Sequence, residues 1–148
     1  MKYDNIKYLA FILLILLVSC SSVKKPQLNE VDYYTRLQTE LIFAEEGDTI
    51  HLPAGIIKLD RPLSLESISN ITIIGNGIDE TILTFKNQIE GAEGIKISNS
   101  KNITLKDFTI QDSKGDLIKA ENTIGINFIN IKAEWTGIPK EENGAYAL

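Results

Sequence analysis

The stretch from Asn102 to Ala133, NITLKDFTIQDSKGDLIKAENTIGINFINIKA, carries one pattern twice. Ile103, Leu105, Phe108 and Ile110 recur 23 positions later as Ile126, Phe128, Ile131 and Ala133, and Asn99 recurs at the same offset as Asn122. Within each copy the apolar residues alternate, skip one position and alternate again. Alternation puts every second side chain on one face of a strand. The skip, at Lys106-Asp107 and again at Ile129-Asn130, turns the chain through a corner. Both short strands then send their apolar side chains the same way. A strand, a corner and a second strand, repeated at a period in the low twenties, describe one coil of a parallel β-helix.

An upstream copy extends the pattern. Leu63, Leu65, Ile71 and Ile73 precede Ile95, Ile97, Ile103 and Leu105 at a constant offset of 32, and Asn70 falls on Asn102. The two offsets differ by nine, which predicts a nine-residue insertion. The polar, glycine-bearing run from Lys86 to Gly94 is its expected place, since insertions leave a solenoid as loops without disturbing the stack. Asn70, Asn102, Asn99 and Asn122 suit corners where the backbone turns left-handed. With coils stacked about 4.8 Å apart, equivalent corner amides bond to one another along the axis. These asparagines read as a structural ladder rather than as ligands.

With 148 residues, 43% of them hydrophobic, the chain holds enough apolar surface for one domain. A net charge of −5 with scattered basic residues leaves no electrostatic footprint for a nucleic acid. A single cysteine excludes an intrachain disulfide. That cysteine closes the leader: Lys2 and Lys7 precede an apolar run from Tyr8 to Val18, which ends in Leu17-Val18-Ser19-Cys20. This is the layout of a secretory signal, too short for a comfortable permanent span. Its last four residues resemble the bacterial lipobox, so residues 1–19 are expected to be cleaved and Cys20 acylated as a membrane anchor. Without Lys2, Lys7 and Asp4 the mature chain has 13 basic and 19 acidic residues, a charge of −6. Residues 20–29 are polar, contain Pro26 and read as a tether. Ser21 after the cysteine resembles cargo for the outer membrane of a diderm bacterium, facing either the periplasm or the exterior.

Residues 30–48 read as a capping helix. Tyr34, Leu37, Leu41 and Ala44 fall at helical spacing, Asn29 or Asp32 suits the start, and Gly47 suits the position after the end. Glu45 and Glu46 oppose the helix dipole there and have no electrostatic explanation. The cap would cover the first of the coils in residues 49–148, whose apolar end and strand edges otherwise invite aggregation.

After the helix comes Gly47-Asp48-Thr49-Ile50-His51-Leu52-Pro53-Ala54-Gly55, then Ile57, Leu59 and Pro62-Leu63. A helix, a Gly-Asp-Thr-Ile-x-Leu-Pro-x-Gly motif and stacked Ile/Asn coils resemble the N-terminal portion of right-handed parallel β-helix repeat proteins of the pectin lyase-like group, most of all the lipoprotein type of bacterial envelopes. The resemblance covers about Val31 to the last residue. It implies an all-β, right-handed solenoid with an N-terminal helical cap. The group includes pectate lyases, polygalacturonases and alginate epimerases as well as non-catalytic proteins, so fold alone does not choose the function. About four coils follow the cap, and the chain stops on the alternating apolar run Gly144–Leu148, where a finished solenoid carries a polar cap. The expectation is a truncated product, or an open C-terminal coil that pairs end to end with a partner.

Chemistry is sparse. His51, the only histidine, lies between Ile50 and Leu52 and is expected to face solvent; no second His or Cys joins it as a metal site. Asp112, Lys114 and Asp116 form a polar turn and are the candidate catalytic residues, with Asp107 and Glu134 near neighbouring corners. In the polygalacturonases a similar strand-turn-strand carries adjacent aspartates. Asp116 falls where the second would lie, but Gly115 takes the place of the first. Glycoside hydrolysis needs two carboxylates at a controlled separation. A lyase or epimerase would need a base and positive charge, which Lys114 or Arg61 would supply, and pectate lyases add Ca²⁺ held by aspartates. Solenoid turns also carry such residues for solubility alone. Trp135 is the candidate carbohydrate platform, its face offering apolar contact to a sugar ring; otherwise it covers the base of the Gly137–Asn143 loop.

These readings converge on a lipid-anchored envelope module that binds polysaccharide or another surface partner along the solenoid flank. Two alternatives stand beside it: the first part of a lyase or epimerase of acidic glycans, and a remnant without activity. The anchor is directly testable. Cys20→Ser is expected to abolish metabolic labelling with a fatty acid and to release the protein from the membrane fraction, and persistent labelling contradicts the lipobox reading.

Overall fold

A computed structural model describes residues 30–138, with side chains from Tyr33 onward. The leader, Cys20, the tether, the Asn29 cap and the run from residue 139 to Leu148 lie outside the described residues. The rest is a β-solenoid of about four turns preceded by one short helix, α1 (Glu30–Ile42). This agrees with the all-β solenoid read from the repeats.

Parallel strands build each coil. The first holds β1 (Thr49–His51), β2 (Gly55–Lys58) and β3 (Leu63–Glu66), and the second β4 (Thr72–Ile74), β5 (Thr81–Thr84) and β6 (Ile95–Ser98). In the third, β7 (Lys101–Gln111) runs through a corner without losing its ladder and is followed by β8 (Ile118–Glu121). The fourth begins with β9 (Ile124–Glu134), which follows β7 around the same bend. One sheet has the order β1-β4-β7-β5-β2 with β9 also on β7; the other is β3-β6-β8.

The register follows the repeats. Ile103, Leu105, Phe108 and Ile110 pair with Ile126, Phe128, Ile131 and Ala133. Leu63 and Leu65 pair with Ile95 and Ile97, and Ile73 pairs with Leu105. The insertion requires a correction. Its offset is 32 at Thr72/Thr104, 27 at Ile82/Thr109 and 23 at Ile95/Ile118. Five of the nine extra residues therefore lie between β4 and β5, and only four in the loop after β5. The cause is β5 itself, whose Leu83 stacks between Ile57 and Ile110 and splits the insertion in two.

Inward side chains fill the coil interior. Ile57, Leu59, Leu65, Ile71, Leu83, Phe85, Ile97, Ile103, Leu105 and Phe108 are all buried. Each contributes about 1.5–3 kcal/mol relative to exposure. Leu105, which pairs with Ile73 on one side and Phe128 on the other, is 0% exposed.

Helix α1 closes one end. Leu37 and Leu41 are buried in the mouth of the first coil, with Tyr34 partly buried beside them. Gln38 completes the closure with both ends of its amide: Nε2 donates to the Ser64 carbonyl at 2.9 Å, and Oε1 accepts the Ser64 N–H at 2.8 Å. A side-chain amide thus stands in for the strand that β3 lacks. The helix ends at Ile42 rather than beside Gly47. Gly47, at φ 95°, instead serves the turn Glu45–Asp48, where the Asp48 carboxylate accepts the Glu45 N–H at 2.8 Å.

Corners carry the left-handed residues. Asn70, Asn99, Asn102, Asp107, Asp112, Asn122 and Asn130 have φ between 49° and 62°. Their amides bond along the axis: Asn102 Nδ2 donates to Asn70 Oδ1 at 3.0 Å, Asn122 to Asn99 at 3.3 Å and Asn130 to Asp107 at 2.9 Å. Asn70 in turn donates to Glu46 and Asn99 to Glu66. Glu46 therefore has its explanation: it terminates a column of amides and lies past the helix end.

These corners predict an ordered mutational series. Asn102→Ala loses both the ladder bond and the tolerance for left-handed backbone, and is expected to destabilise by about 2 kcal/mol. Asn102→Gly loses only the bond and should cost about 1 kcal/mol. Urea unfolding of both variants checks the order; equal losses would assign the whole effect to the ladder.

Candidate functional site

The last residues of β2, β5 and β7 stack in register, so Lys58, Thr84 and Gln111 form one row across three coils. This row floors a groove of about 270 Å³. Asp60 and the loop residues Lys86 and Asn87 wall one part of it, and Asp112 with Thr136 another. Lys86 and Asn87 belong to the stretch that carries the four extra residues after β5, and both are exposed. Gln88 is buried and pins that loop, donating to the Glu93 carbonyl at 2.8 Å and accepting the Lys114 N–H at 3.1 Å. The groove therefore has a regular floor and an anchored wall.

Its carboxylates are already engaged. Asp112 sits in left-handed backbone at the end of β7; Oδ1 accepts the Thr136 N–H and Oδ2 the Thr136 hydroxyl, each at 2.7 Å. Asp60 takes two bonds from Arg61, at 3.0 and 3.3 Å. The Arg61 guanidinium also lies 4.8 Å from the centre of the Tyr34 ring. Its hydrogen bond to Asp60 holds it above its ordinary pKa, and burial pushes the Tyr34 phenol up. Arg61 thereby ties the capping helix to the turn after β2. At the far end of the row Glu134 pairs with Lys132 at 2.7 Å, a bond that raises the lysine's pKa.

Of the residues singled out from the sequence, only Asp112 lines this groove. Lys114 is exposed two residues on, and its backbone N–H is bound to Gln88. Asp116 is half-buried, and its carbonyl accepts the Gly94 N–H at 3.0 Å. Trp135 is half-buried against the core, and its Nε1–H donates to the Ser113 carbonyl at 2.9 Å, covering the turn one coil back. Arg61 is spent on Asp60 and Tyr34. His51 faces solvent from β1 on the opposite side of the first corner. Among the described residues no three His, Cys, Asp or Glu side chains come together as a metal-binding group.

Lys58 and Gln111 were not singled out from the sequence, and Lys86 and Asn87 entered only as part of the expected insertion loop. The usable signal is the recurrence of Ile57 and Leu59 as Leu83 and Phe85, 26 positions on, which puts Lys58 over Thr84. No protein-family model, curated protein or solved structure matches this chain.

The Asp112–Thr136 clasp links the third coil to the fourth. A double-mutant cycle of Asp112→Asn and Thr136→Val is expected to give a coupling of about 1 kcal/mol in urea unfolding. Additive losses would mean the clasp does not form in solution.

Proposed function

We propose that this protein is a lipid-anchored cell-envelope module that binds a polysaccharide along the groove on the Lys58–Thr84–Gln111 row. The observation that carries the reading is the row itself. It sets polar residues at the coil spacing of about 4.8 Å along the groove, with Thr84 buried between Lys58 and Gln111, a geometry suited to a polymer with repeating hydroxyls. Lys86, Asn87 and Gln111 supply donors, and Asn87 and Gln111 also accept, so the wall serves hydroxyls in either direction. The resemblance to pectin lyase-like β-helix lipoproteins supports a glycan over other polymers. The leader and Cys20 support placement at the membrane surface, in a diderm bacterium at the outer membrane.

Binding is favoured over catalysis because both aspartates in the groove are occupied. Asp112 gives both oxygens to Thr136, and Asp60 gives both to Arg61. A general base must be positioned on the proton it takes, and these bonds instead give both carboxylates a structural role.

Affinity electrophoresis of the mature chain through gels containing neutral or acidic polysaccharides tests the reading. Retardation is expected in at least one gel, and the Asn87→Ala/Gln111→Ala double variant should weaken it about tenfold. Ser64→Ala, on the other sheet, should leave it unchanged. Unretarded migration throughout the panel would remove the binding role, and release of unsaturated sugar ends would move the protein to the lyases.

A further inference from the structure

We propose that the free edge of β1, at the foot of the capping helix, docks an extended basic peptide as an added strand. Among the described residues strand β1 is the last in its sheet and pairs only with β4. On that side the Asp48 carbonyl accepts the Thr72 N–H, and the Leu52 N–H donates to the Ile74 carbonyl. A parallel ladder uses alternate residues of a strand on each side. Asp48, Ile50 and Leu52 therefore serve β4, and the N–H and C=O groups of Thr49 and His51 point away from it.

The capping helix reaches the inner face of this strand through Leu37 and Leu41 beside Ile50, not its outer main-chain groups. It packs on β2 and β3, where Gln38 replaces the missing strand partner of Ser64. Beside β1 it leaves a cleft of about 440 Å³ lined by Arg36, Glu40, Phe43, Asp48, Thr49 and His51. Phe43 is 77% exposed on its wall. Two edges of the first coil are thus treated differently: β3 is satisfied by a side-chain amide, and β1 lies beside an aromatic ring.

A row of alternating main-chain donors and acceptors recognises polypeptide backbone above other ligands, and an adjacent apolar wall takes an alternate side chain. Three residues of edge amount to about 10 Å of ladder. Charge selects among peptides. Glu40 and Asp48 line the cleft and the turn into β1 adds Glu45 and Glu46, against one arginine, Arg36, which is already paired with Glu40 at 3.1 Å. The surplus of carboxylates favours a strand with basic residues on its solvent side, and disfavours an anionic lipid surface.

The test is an NMR titration of the isotope-labelled mature chain with a synthetic peptide of alternating lysine and valine. The Thr49 and His51 amides are expected to shift and to gain protection from hydrogen exchange. A peptide of alternating glutamate and valine, and a lysine-valine peptide N-methylated at alternate amides, should each bind at least about tenfold more weakly. Thr49→Pro removes an N–H that points away from β4 and leaves the β1–β4 ladder intact, so it should abolish the shifts. Phe43→Ser, at a position already in solvent, should weaken binding severalfold without altering the rest of the spectrum. The proposal is overturned if the Thr49 and His51 amides are already protected in the free protein, or if the N-methylated or acidic peptide binds equally well. Equal perturbation of the same amides by phosphatidylglycerol vesicles would also overturn it.

Discussion

A stack of parallel coils holds only if every coil turns its corners at the same places without breaking the ladder. Left-handed backbone makes such a turn in one residue, and it costs most L-residues about 1–2 kcal/mol. Here the corner positions are filled by residues that tolerate it. Seven of the eight non-glycine residues with positive φ among those described are Asn or Asp, and the eighth is Ser67. Stacking then makes the tolerance productive, because equivalent side chains come within hydrogen-bond reach of one another. In the bonds between corner side chains the later residue donates to the earlier one, and all three columns end on a carboxylate, Glu46, Glu66 and Asp107. A charged acceptor fixes the direction of each column, since a neutral amide chain reads equally well either way.

The same constraint confines variation to the loops. The second coil is longer than the third by nine residues, yet its strands keep their partners, because the excess leaves the stack between β4 and β5 and again after β5. Close packing at the loop bases makes this possible. A Cβ on Gly75 would stand 2.3 Å from the Asp107 carbonyl oxygen, and one on Gly94 would stand 2.5 Å from that of Leu117. Glycine at these two points lets the insertions depart without lifting the next coil. The loop after β5 folds back over the first coil, with the Asp60 carbonyl accepting the Ile89 N–H at 2.7 Å. That fold raises one wall of the groove, so the candidate site is a local addition to a regular surface.

What was legible in the sequence is what alternation encodes. Ile103, Leu105, Phe108 and Ile110 gave both the strands and the register, because a slip of one position would turn all of them outward. The left-handed corners were legible through asparagine. The placement of the insertion was not, because Thr81 and Leu83 alternate too weakly beside the isoleucines to declare β5 a strand of the stack. The groove was illegible for a different reason. Lys58 and Gln111 are outward residues like Lys96 or Lys119, and no periodicity distinguishes an outward residue under a loop from one in open solvent. The end of α1 was misplaced for a third: Gly47 has the positive φ expected beyond a helix, but a separate turn uses it.

The difference between Asp112 and the rest of its turn shows how little sequence proximity means in a solenoid. Asp112, Lys114 and Asp116 lie within five residues, yet each answers to a different neighbour. Asp112 closes on Thr136 one coil forward, the Lys114 backbone is held by Gln88 one coil back, and the Asp116 carbonyl receives Gly94. Contacts along the axis decide the role of a side chain here, because coils lie about 4.8 Å apart whereas a turn must bulge outward to reverse the chain. A functional constellation in this fold is therefore assembled from positions 23 to 32 apart rather than from a local motif. By that rule the row Lys58, Thr84 and Gln111, which no local pattern joins, is the stronger basis for a site than the polar turn beside it.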